Sequence, residues 1–253
     1  MKLHNQVVLV TGGARGLGRE IVKAFAEEGA KVVINYYQSK EKALELKEEI
    51  GSNAVAIQAD IRDRQQVQEM FVEAKHFFDH PITTVINNAL VGFRFDPISK
   101  KDATDIIWED YLLQLEGAVR GSLNTTQAAL PDMKEAKYGR IITIGTNLFQ
   151  NPVVPYHDYN TSKAALLGFT RSMAKELGEC GITVNMVSGG LLKTTDASSA
   201  TSDEVFQLIE ASTPLQKVTT PTDVANAVLF FASPWGNGVT GQNLVVDGGL
   251  VMD

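Results

Sequence analysis

The chain has 253 residues and a formal net charge of −7, with 44% hydrophobic and 21% charged residues. This length and composition fit one globular domain with a large core. The negative charge argues against a general nucleic-acid binder and does not suggest attraction to an anionic membrane, and the single cysteine, Cys180, excludes an intrachain disulfide.

Short apolar runs alternate with helical patterns along the chain. The apolar runs predict strands at Val7–Val10, Lys31–Asn35, Ala54–Gln58, Thr84–Asn87, Arg140–Gly145, Thr183–Val187 and Asn243–Val246. The helical patterns cover Gly16–Glu28, Lys40–Ile50, Arg64–Phe78, Ile106–Met133, Asp158–Glu179, Ser202–Ala211 and Pro221–Phe231. Because such alternation builds right-handed βαβ units, we expect one α/β domain over residues 1–253. Its fold should be a Rossmann-type, doubly wound parallel β-sheet of about seven strands with helices on both faces.

The first predicted strand runs directly into a glycine-rich turn, Thr11–Gly18, which is followed by a helical pattern. A strand, a glycine-rich turn and a helix together suit a pyrophosphate. The glycines allow close backbone approach, and the helix N-terminus offers N–H groups and a positive dipole end. A guanidinium suits a phosphate, so Arg15 joins this prediction. The predicted cofactor contacts in this turn are Gly12, Arg15, Gly16, Leu17 and Gly18.

The end of the second predicted strand bears on the choice of cofactor. It reads Asn35-Tyr36-Tyr37, at the point where NAD-preferring enzymes usually carry an acid that holds the ribose 2′-hydroxyl. No acid is present and the glycine turn is basic, so we expect NADP(H) to be favoured over NAD(H). Asn35 and Tyr36 are assigned to the cofactor site. If Arg15 pointed to solvent, one of the two reasons for this preference would be lost.

The segment Tyr159-Asn160-Thr161-Ser162-Lys163 puts a phenol and an ammonium four residues apart, on one face of a predicted helix. A nearby positive charge stabilises phenolate and so lowers the pKa of the tyrosine. Tyr159 could then exchange a proton with an alcohol or carbonyl oxygen near neutral pH. A chance pair on a helix surface is the alternative.

The glycine spacing of the turn, at positions 12, 16 and 18, together with Tyr159 and Lys163, resembles the short-chain dehydrogenase/reductase family. The resemblance extends from Lys2 to Gly249. Further matching segments are Asp60-Ile61, Asn87–Ala89, Gly139–Ile144, Gly181–Asn185 and Gly241–Gly249. Within the family, the chain is most similar to the 3-oxoacyl-acyl-carrier-protein reductase branch.

The resemblance implies a set of catalytic residues. Thr146 lies thirteen residues before Tyr159, where the family usually carries its catalytic serine. We expect its hydroxyl to hydrogen-bond the substrate oxygen, and a strand-end threonine that caps the backbone is the alternative. Tyr159 is the expected general acid. Lys163 is expected to lower the pKa of Tyr159 and to bind the hydroxyls of the nicotinamide ribose.

The resemblance also assigns residues outside the glycine turn to the cofactor. Asp60 and Ile61 correspond to the adenine pocket, and Asn88 corresponds to the ribose on the nicotinamide side. Leu192 and Thr194 match positions that bind the carboxamide. Asp60 could instead, or in addition, be the N-cap of the next helix, which is a common role for aspartate.

Four features depart from the family pattern. Leu90 replaces the glycine of Asn-Asn-Ala-Gly, and Thr146 replaces the serine. Ala118 stands where the family carries a catalytic asparagine, which supports a bend in the helix and a water that links the lysine to solvent. A backbone carbonyl could still hold that water. Gly189-Gly190 replaces Pro-Gly after the sixth strand and gives a looser backbone.

These features predict an NADPH-dependent carbonyl reductase, with a 3-oxoacyl thioester or an acyl-carrier-protein-bound chain as the expected substrate. The apolar residues Leu90, Phe93 and Phe149 suit an acyl chain, and they equally suit a steroid, an aromatic ketone or a hydrophobic diketone. An NAD(P)-dependent alcohol or sugar-alcohol dehydrogenase is a second interpretation. A low-turnover NADP(H)-binding sensor or scaffold is a third, which the four departures favour and the retained Tyr159 opposes.

Residues 191–213 interrupt the strand–helix rhythm and follow the carboxyl end of a strand, so we expect a lid over the substrate. Disorder without a function is the alternative. An acidic carrier protein would require a basic patch near the site. The candidates for this patch are Arg94, Lys100, Lys101 and Arg120. Ordinary solvated charges are the alternative.

The remaining expectations concern metals, assembly and location. The histidines are dispersed at His4, His76, His80 and His157, so we expect no metal site. Family members commonly form tetramers, and the small residue Gly168 would permit close helix packing, so we expect a homotetramer. The sequence shows no signal-peptide core and no apolar run long enough to span a bilayer. With the single cysteine, this predicts a cytoplasmic protein.

Overall fold

A computed structural model describes residues 1–93, 95–96, 98, 100–193, 195, 198 and 201–252. The strands are β1 Val7–Val10, β2 Lys31–Tyr36, β3 Ala54–Gln58, β4 Thr84–Asn87, β5 Gly139–Thr146, β6 Ile182–Gly189 and β7 Asn243–Val246. The α-helices are α1 Gly16–Glu27, α2 Lys40–Ile50, α3 Arg64–Phe78, α4 Trp108–Leu115, α5 Gly121–Ala136, α6 His157–Leu177, α7 Asp203–Ser212 and α8 Pro221–Ala232. Most boundaries lie close to those predicted from the sequence.

The strands form one parallel sheet in the order β3-β2-β1-β4-β5-β6-β7. β1 pairs with β2 on one side and with β4 on the other, so the strand order reverses between β1 and β4. Ligands of open α/β sheets bind beside such a switch point, at the carboxyl ends of the strands. The predicted doubly wound, Rossmann-type fold is confirmed.

Helices cover both faces of the sheet. On one face, Phe25 of α1 and Phe231 of α8 are buried against the strands. On the other face, Met70 of α3, Met133 of α5 and Leu177 of α6 form a second buried cluster. Strands that are covered on both sides need apolar residues on both sides, which explains their continuous apolar runs. None of the described helices combines the length and the apolar character needed to span a membrane.

The helix predicted at Ile106–Met133 is not continuous. The α-helical part starts at Trp108, gives way to a π-helical turn at Glu116–Arg120, and resumes as α5, which ends at Ala136. A π-helical turn inserts one extra residue into an otherwise regular helix. The hydrophobic pattern on either side stays helical, so periodicity alone predicts one helix.

Two glycines fit the π-helical turn against its neighbours. A Cβ at Gly117 would lie 2.9 Å from the Cβ of Val91, and a Cβ at Gly121 would overlap the side chain of Ile61. Ile61, which was assigned to the adenine pocket, is 6% exposed and packs against this helix. The turn is therefore packed tightly against the carboxyl ends of the central strands.

Candidate active site

Three side chains that can exchange protons or donate hydrogen bonds lie together at the carboxyl edge of the sheet. Thr146 is the last residue of β5, and Tyr159 and Lys163 lie one turn apart on α6. Their four-residue spacing puts the phenol and the ammonium on the same helix face. All three residues are buried, with exposed fractions of 5% for Thr146, 5% for Tyr159 and 4% for Lys163. The structure thus brings together the residues that the sequence assigned to catalysis.

The turn between β1 and α1 has the backbone geometry of a phosphate cradle. Gly12 and Gly16 have φ angles of +62° and +53°, in the left-handed region that favours glycine. A Cβ at Gly18 would overlap the carbonyl oxygen of Gly12, whereas a Cβ at Gly16 would meet only Thr195, at 4.0 Å. The first N–H groups of α1 have no acceptor within the helix. The turn therefore fits the pyrophosphate of a dinucleotide.

Hydrogen bonds from neighbouring strands hold this turn in place. Asn88 donates its backbone N–H to Thr11 Oγ1 at 2.9 Å. Its Nδ2 donates to the carbonyl oxygens of Thr11 at 2.9 Å and Gly12 at 3.3 Å. Asn35 accepts from the Gly12 N–H at 3.3 Å and donates to the Ala59 carbonyl at 3.0 Å. Both asparagines were assigned to the cofactor, and in the structure their side chains support the turn.

Asp60, the carboxylate assigned to the adenine pocket, is held by a guanidinium. Arg62 donates to Asp60 from Nε at 3.0 Å and from Nη2 at 2.6 Å. This hydrogen-bonded Arg62 holds the pKa of Asp60 below its usual value. The N-cap of α3 is Asp63, which accepts from the N–H groups of Gln65 and Gln66. The alternative that Asp60 is the N-cap is therefore wrong.

The other residues assigned to the cofactor lie around the turn or outside the described residues. Arg15 is exposed just before α1. Leu17 and Leu192 are partly buried and pack against the core cluster beneath the turn. Tyr36 is 6% exposed, so its ring belongs to the core more than to a surface groove. Thr194 lies outside the described residues.

Aromatic rings cover the phenol of Tyr159. Phe93 stacks on Tyr159 with ring centroids 4.4 Å apart and ring planes at 17°. Phe95 meets the same ring edge-on at 5.3 Å. Burial raises the pKa of Tyr159 to about 12, and a hydrogen bond with Thr146 acts in the opposite direction. Lys163 was expected to lower this pKa, and that role of the lysine stays a prediction.

Lys163 is a buried cation without a carboxylate partner among the described residues. Its Nζ donates to the Ile144 carbonyl at 2.7 Å and lies 5.8 Å from the centroid of the Tyr159 ring. Burial lowers the pKa of Lys163 to about 8. The lysine therefore changes charge near pH 8, while the neighbouring phenol is still protonated.

Comparisons with known proteins agree with this geometry. Residues 12–251 match a family model described as enoyl-(acyl carrier protein) reductase. The 3-oxoacyl-[acyl-carrier-protein] reductase FabG of Staphylococcus aureus is 36% identical over 96% of this chain and 97% of its own. The NADPH-dependent aldehyde reductase 2, chloroplastic, of Arabidopsis thaliana is 30% identical over 99% of this chain and 95% of its own. A 3-ketoacyl-(acyl-carrier-protein) reductase from Brucella melitensis, complexed with NADH, superposes with a TM-score of 0.90 at 28% identity, covering 99% of this chain and 100% of that chain.

The chain belongs to the short-chain dehydrogenase/reductase family. As a member of this family, it is an oxidoreductase that uses a nicotinamide cofactor to interconvert a carbonyl and an alcohol. The resemblance inferred from the glycine turn and from Tyr159 and Lys163 is confirmed. The roles of the individual site residues stay predictions.

The position where this reductase family carries its asparagine falls inside the π-helical turn. Ala118 is at the centre of that turn, and its carbonyl oxygen accepts a hydrogen bond from Ser122 Oγ at 2.6 Å. The sequence predicted that a backbone carbonyl here could hold a water. The hydroxyl of Ser122 uses one lone pair of this carbonyl and leaves the other, so the bond to a water stays a prediction.

A buried hydrogen bond between two side chains near the end of β5 was not predicted from the sequence. Asn147, directly after Thr146, donates from Nδ2 to Asp247 at 2.9 Å. A Cβ at Gly190 would lie 3.0 Å from the Cβ of Asp247, which explains a glycine at that position. Asp247 also accepts from the N–H of Gly249 at 3.0 Å. The signal in the sequence was an amide side chain, Asn147, directly after Thr146.

Proposed function

We propose that this short-chain dehydrogenase/reductase reduces 3-oxoacyl thioesters with NADPH, including chains bound to an acyl carrier protein. The observation that carries the proposal is the meeting of Tyr159, Lys163 and Thr146 beside a glycine turn that fits a dinucleotide. The names of the relatives in Staphylococcus aureus and Brucella melitensis support the choice of a 3-oxoacyl substrate.

The nicotinamide, when bound, supplies a hydride to the carbonyl carbon. The N-terminus of α1 and the turn around Gly16 would hold its pyrophosphate. Tyr159 donates its phenolic proton to the carbonyl oxygen, and its raised pKa keeps that proton in place until transfer. The hydroxyl of Thr146, which already hydrogen-bonds Tyr159, stabilises the developing alkoxide. Lys163 stabilises the phenolate that remains.

The preference for NADPH rests on charge around the adenosine end. No carboxylate stands at Asn35 or Tyr36, the last residues of β2, or at Tyr37 after it, to hold a ribose 2′-hydroxyl. Arg15 before α1 supplies a guanidinium group, which suits a 2′-phosphate, whereas the guanidinium of Arg62 is paired with Asp60. The Arabidopsis relative is named for NADPH and the Brucella structure holds NADH. Dissociation constants for both cofactors, measured by fluorescence, therefore decide this point.

Recognition of an acidic carrier protein requires positive charge near the site. Lys101 is paired with Asp110 at 2.7 Å and Arg120 with Glu116 at 3.1 Å, so much of the expected basic patch is neutralised. Arg94 lies outside the described residues. Replacing Lys100 and Lys101 together by glutamate should raise KM for a carrier-bound substrate and leave KM for a free thioester unchanged. Equal KM values for the two enzymes would remove the carrier from the proposal.

We also propose a cytoplasmic homotetramer with a lid at residues 191–213. The lid proposal is supported by α7, which buries none of its side chains. The assembly proposal is supported by α4 and α6, where Trp108 is 63% exposed and a Cβ at Gly168 would meet no atom within 4 Å. Light scattering that reports a monomer would contradict the assembly.

A low-turnover sensor that binds NADP(H) is the second candidate function. The observation that favours it is the aromatic cover, because Phe93 lies on the ring that must reach a substrate. Tyr159 argues against it, because a protein that only binds the cofactor does not need a buried phenol beside a lysine. Turnover measurements separate the two candidates directly.

The deciding experiment follows NADPH oxidation with a 3-oxoacyl thioester and a panel of ketones. Tyr159→Phe removes the proton donor and should lower kcat by at least about 100-fold while leaving the NADPH dissociation constant unchanged. Tyr138→Phe is the matched control, because Tyr138 is a partly buried phenol at the opposite edge of the sheet, bonded to Gln6 at 3.2 Å. It should keep full turnover.

The outcomes are distinct. Turnover of the thioester that disappears only in Tyr159→Phe supports the reductase and its acid. Turnover that survives in Tyr159→Phe would show that the acid is another group. Tight NADPH binding without turnover on any substrate would favour the sensor.

A further inference from the structure

A narrow cleft lies beside Lys163. It is bordered by the ends of β1 and β4, by the π-helical turn and by the start of α5. Thr11, Asn87, Ala118 and Ser122 line it together with Lys163. The cleft is therefore the point where the catalytic lysine meets the helix that lacks the asparagine of the family.

Two hydrogen-bond donors at this cleft lack acceptors. Asn87 is 6% exposed and its Nδ2 has no hydrogen-bond partner, while its Oδ1 accepts from Thr125 Oγ1 at 2.7 Å. Lys163 has three N–H donors, of which one is used by the Ile144 carbonyl. Buried donors without acceptors are unfavourable, and an ammonium more so than an amide. The cleft requires an acceptor.

Two described hydroxyl groups line the cleft, and Thr11 is not available. Thr11 Oγ1 donates to the Ile86 carbonyl at 3.2 Å. It also accepts from the backbone N–H groups of Asn88 at 2.9 Å and Ala89 at 3.0 Å. Its hydrogen and both lone pairs are therefore used.

Ser122, the other hydroxyl of the cleft, is able to accept hydrogen bonds. Its Oγ donates its hydrogen to the Ala118 carbonyl at 2.6 Å, and the residue is 3% exposed. A hydroxyl whose hydrogen is already committed presents two lone pairs as acceptors. This bond from a serine hydroxyl to the carbonyl four residues earlier is common in helices, and Thr170 makes the same bond to Leu166 on α6.

We propose that Ser122 is a positioning residue for Lys163, whose second N–H donates to Ser122 Oγ in the working enzyme. The bond to the Ile144 carbonyl is kept, and only the remaining N–H groups turn into the cleft. This inference rests on the proposed function in one respect, since it assumes that the charge of Lys163 serves Tyr159. Ser122 thus takes over, from the next helical turn, the polar contact that Ala118 has no side chain to make.

The expected consequence is electrostatic. An acceptor stabilises the ammonium and therefore raises the pKa of Lys163 above the value that burial alone would give. Tyr159 is the titratable group that faces Lys163 from the same helix. The polar groups that line the cleft or bond Lys163 are neutral: Thr11 after β1, Asn87 of β4, the Ile144 carbonyl of β5 and Ser122 of α5. No other described charge competes with Ser122 in setting this pKa.

The test measures the pKa of Lys163 by NMR on protein labelled at the lysine ε-carbons, with the signal assigned by its loss in Lys163→Met. Ser122→Ala should lower this pKa by about one unit, as expected for one lost hydrogen bond to a charged group. Ser122→Thr keeps the hydroxyl and should keep the pKa. Thr170→Val is the matched control, since Thr170 is a buried hydroxyl on α6 that donates to the Leu166 carbonyl at 2.8 Å.

A fall in pKa in Ser122→Ala alone supports the proposal. An unchanged pKa in Ser122→Ala, or an equal fall in Ser122→Thr or Thr170→Val, overturns it. Turnover is measured in parallel, and the alkaline limb of the kcat profile should move with the NMR pKa. If the parent enzyme reduces no carbonyl while the NMR shift is present, the proposed function fails and the contact stands. If turnover is normal and the NMR shift is absent, the proposed contact fails and the proposed function stands.

Discussion

Around the glycine turn, polar side chains on β2 and after β4 are bonded to the turn, whereas around Tyr159 the nearest contacts are aromatic rings. Asn35 and Asn88 hold the turn through hydrogen bonds of 2.9–3.3 Å. Phe93 and Phe95 hold the tyrosine through ring contacts at 4.4 and 5.3 Å. Hydrogen bonds are directional and fix one geometry. The ring contacts come from Phe93 and Phe95, which lie on the segment between β4 and α4, and other contacts can replace them.

This difference indicates how the two sides of the site work. The cofactor side, formed by the glycine turn with Asn35 and Asn88, has its shape before anything binds, because hydrogen bonds from β2 and from the residue after β4 hold it. The carbonyl side, formed by Tyr159 with Phe93 and Phe95, is closed, because the phenol is only 5% exposed. A general acid must come within hydrogen-bonding reach of its substrate. Phe93 must therefore move before a carbonyl can reach Tyr159. Changes on the cofactor side should damage the fold, and changes on the carbonyl side should tune the chemistry.

The largest effect is expected from Gly18→Ala, which tests the rigidity of the cofactor side. The new Cβ would overlap the Gly12 carbonyl oxygen and crowd Asn88 Nδ2 at 2.7 Å. Since backbone cannot move aside easily, the free energy of unfolding should fall by about 3 kcal/mol. NADPH binding should weaken with it. Urea unfolding and fluorescence titration measure the two effects.

Gly178→Ala is the control for this change. Gly178 has helical dihedral angles of −58° and −38°, and a Cβ there would meet no atom within 4 Å. Its stability should equal or slightly exceed that of the parent protein. Equal behaviour of the two alanine variants would show that the glycine turn is more adaptable than its hydrogen bonds indicate.

A smaller effect of opposite sign is expected from Lys163→Met, which removes the buried charge. The pKa of Lys163 is about 8 in the folded protein against an ordinary 10.5. The buried ammonium therefore destabilises the fold at pH values below 8, and the penalty disappears as the pH rises from 8 towards 10.5. A shift of this size corresponds to roughly 3 kcal/mol, and the lost hydrogen bond to the Ile144 carbonyl offsets about 1 kcal/mol of it. At pH 7 the methionine variant should therefore be more stable by roughly 2 kcal/mol, although it loses turnover.

Urea unfolding at pH 7 and at pH 10 measures the Lys163→Met effect. The advantage of the variant should shrink at the higher pH, because both forms are then largely free of the buried charge. A variant that is less stable than the parent at pH 7 would mean that the hydrogen bond to Ile144 outweighs the burial of the ammonium.

The smallest effect is expected from Phe93→Ala, which opens the carbonyl side. Removing the stacked ring lets water reach the phenol, so the pKa of Tyr159 should fall from about 12 by about one unit. Ultraviolet titration of phenolate, compared with the double variant that also carries Tyr159→Phe, isolates this tyrosine.

Phe77→Ala serves as the control for the loss of a ring. Phe77 is 50% exposed on α3 and makes one edge contact with Phe78. It should leave the titration of Tyr159 unchanged. If Phe93→Ala also leaves it unchanged, the ring does not exclude water from the phenol, and the aromatic cover has no part in setting the acid.

The parallel sheet and the glycine turn could be predicted because their signals are local. A buried parallel strand needs a continuous apolar run, and a strand followed by Gly12, Gly16 and Gly18 has few other structures to form. The pairing of Tyr159 with Lys163 follows from helical spacing alone. These features depend on residues that are close in the chain.

The features that were not predicted depend on residues that are far apart. The π-helical turn at Glu116–Arg120 fits against Val91 and Ile61, which no periodicity in the helix itself reveals. The direction of the pKa of Tyr159 is set by burial, and a sequence states charge but not burial. Asn35 was assigned to the cofactor by its place at the end of a strand, and the sequence did not reveal that its side chain also bonds the turn.

The hydrogen bonds from Asn88 to Thr11 and Gly12 span 77 and 76 positions of the chain. During synthesis, the glycine turn leaves the ribosome long before the asparagine that secures it. A nascent chain that ends before Asn88 therefore has the nucleotide-binding sequence without the support that shapes it. The first βαβ units of this molecule are not a separable module, and fragments cut after β3 should fail to retain a dinucleotide.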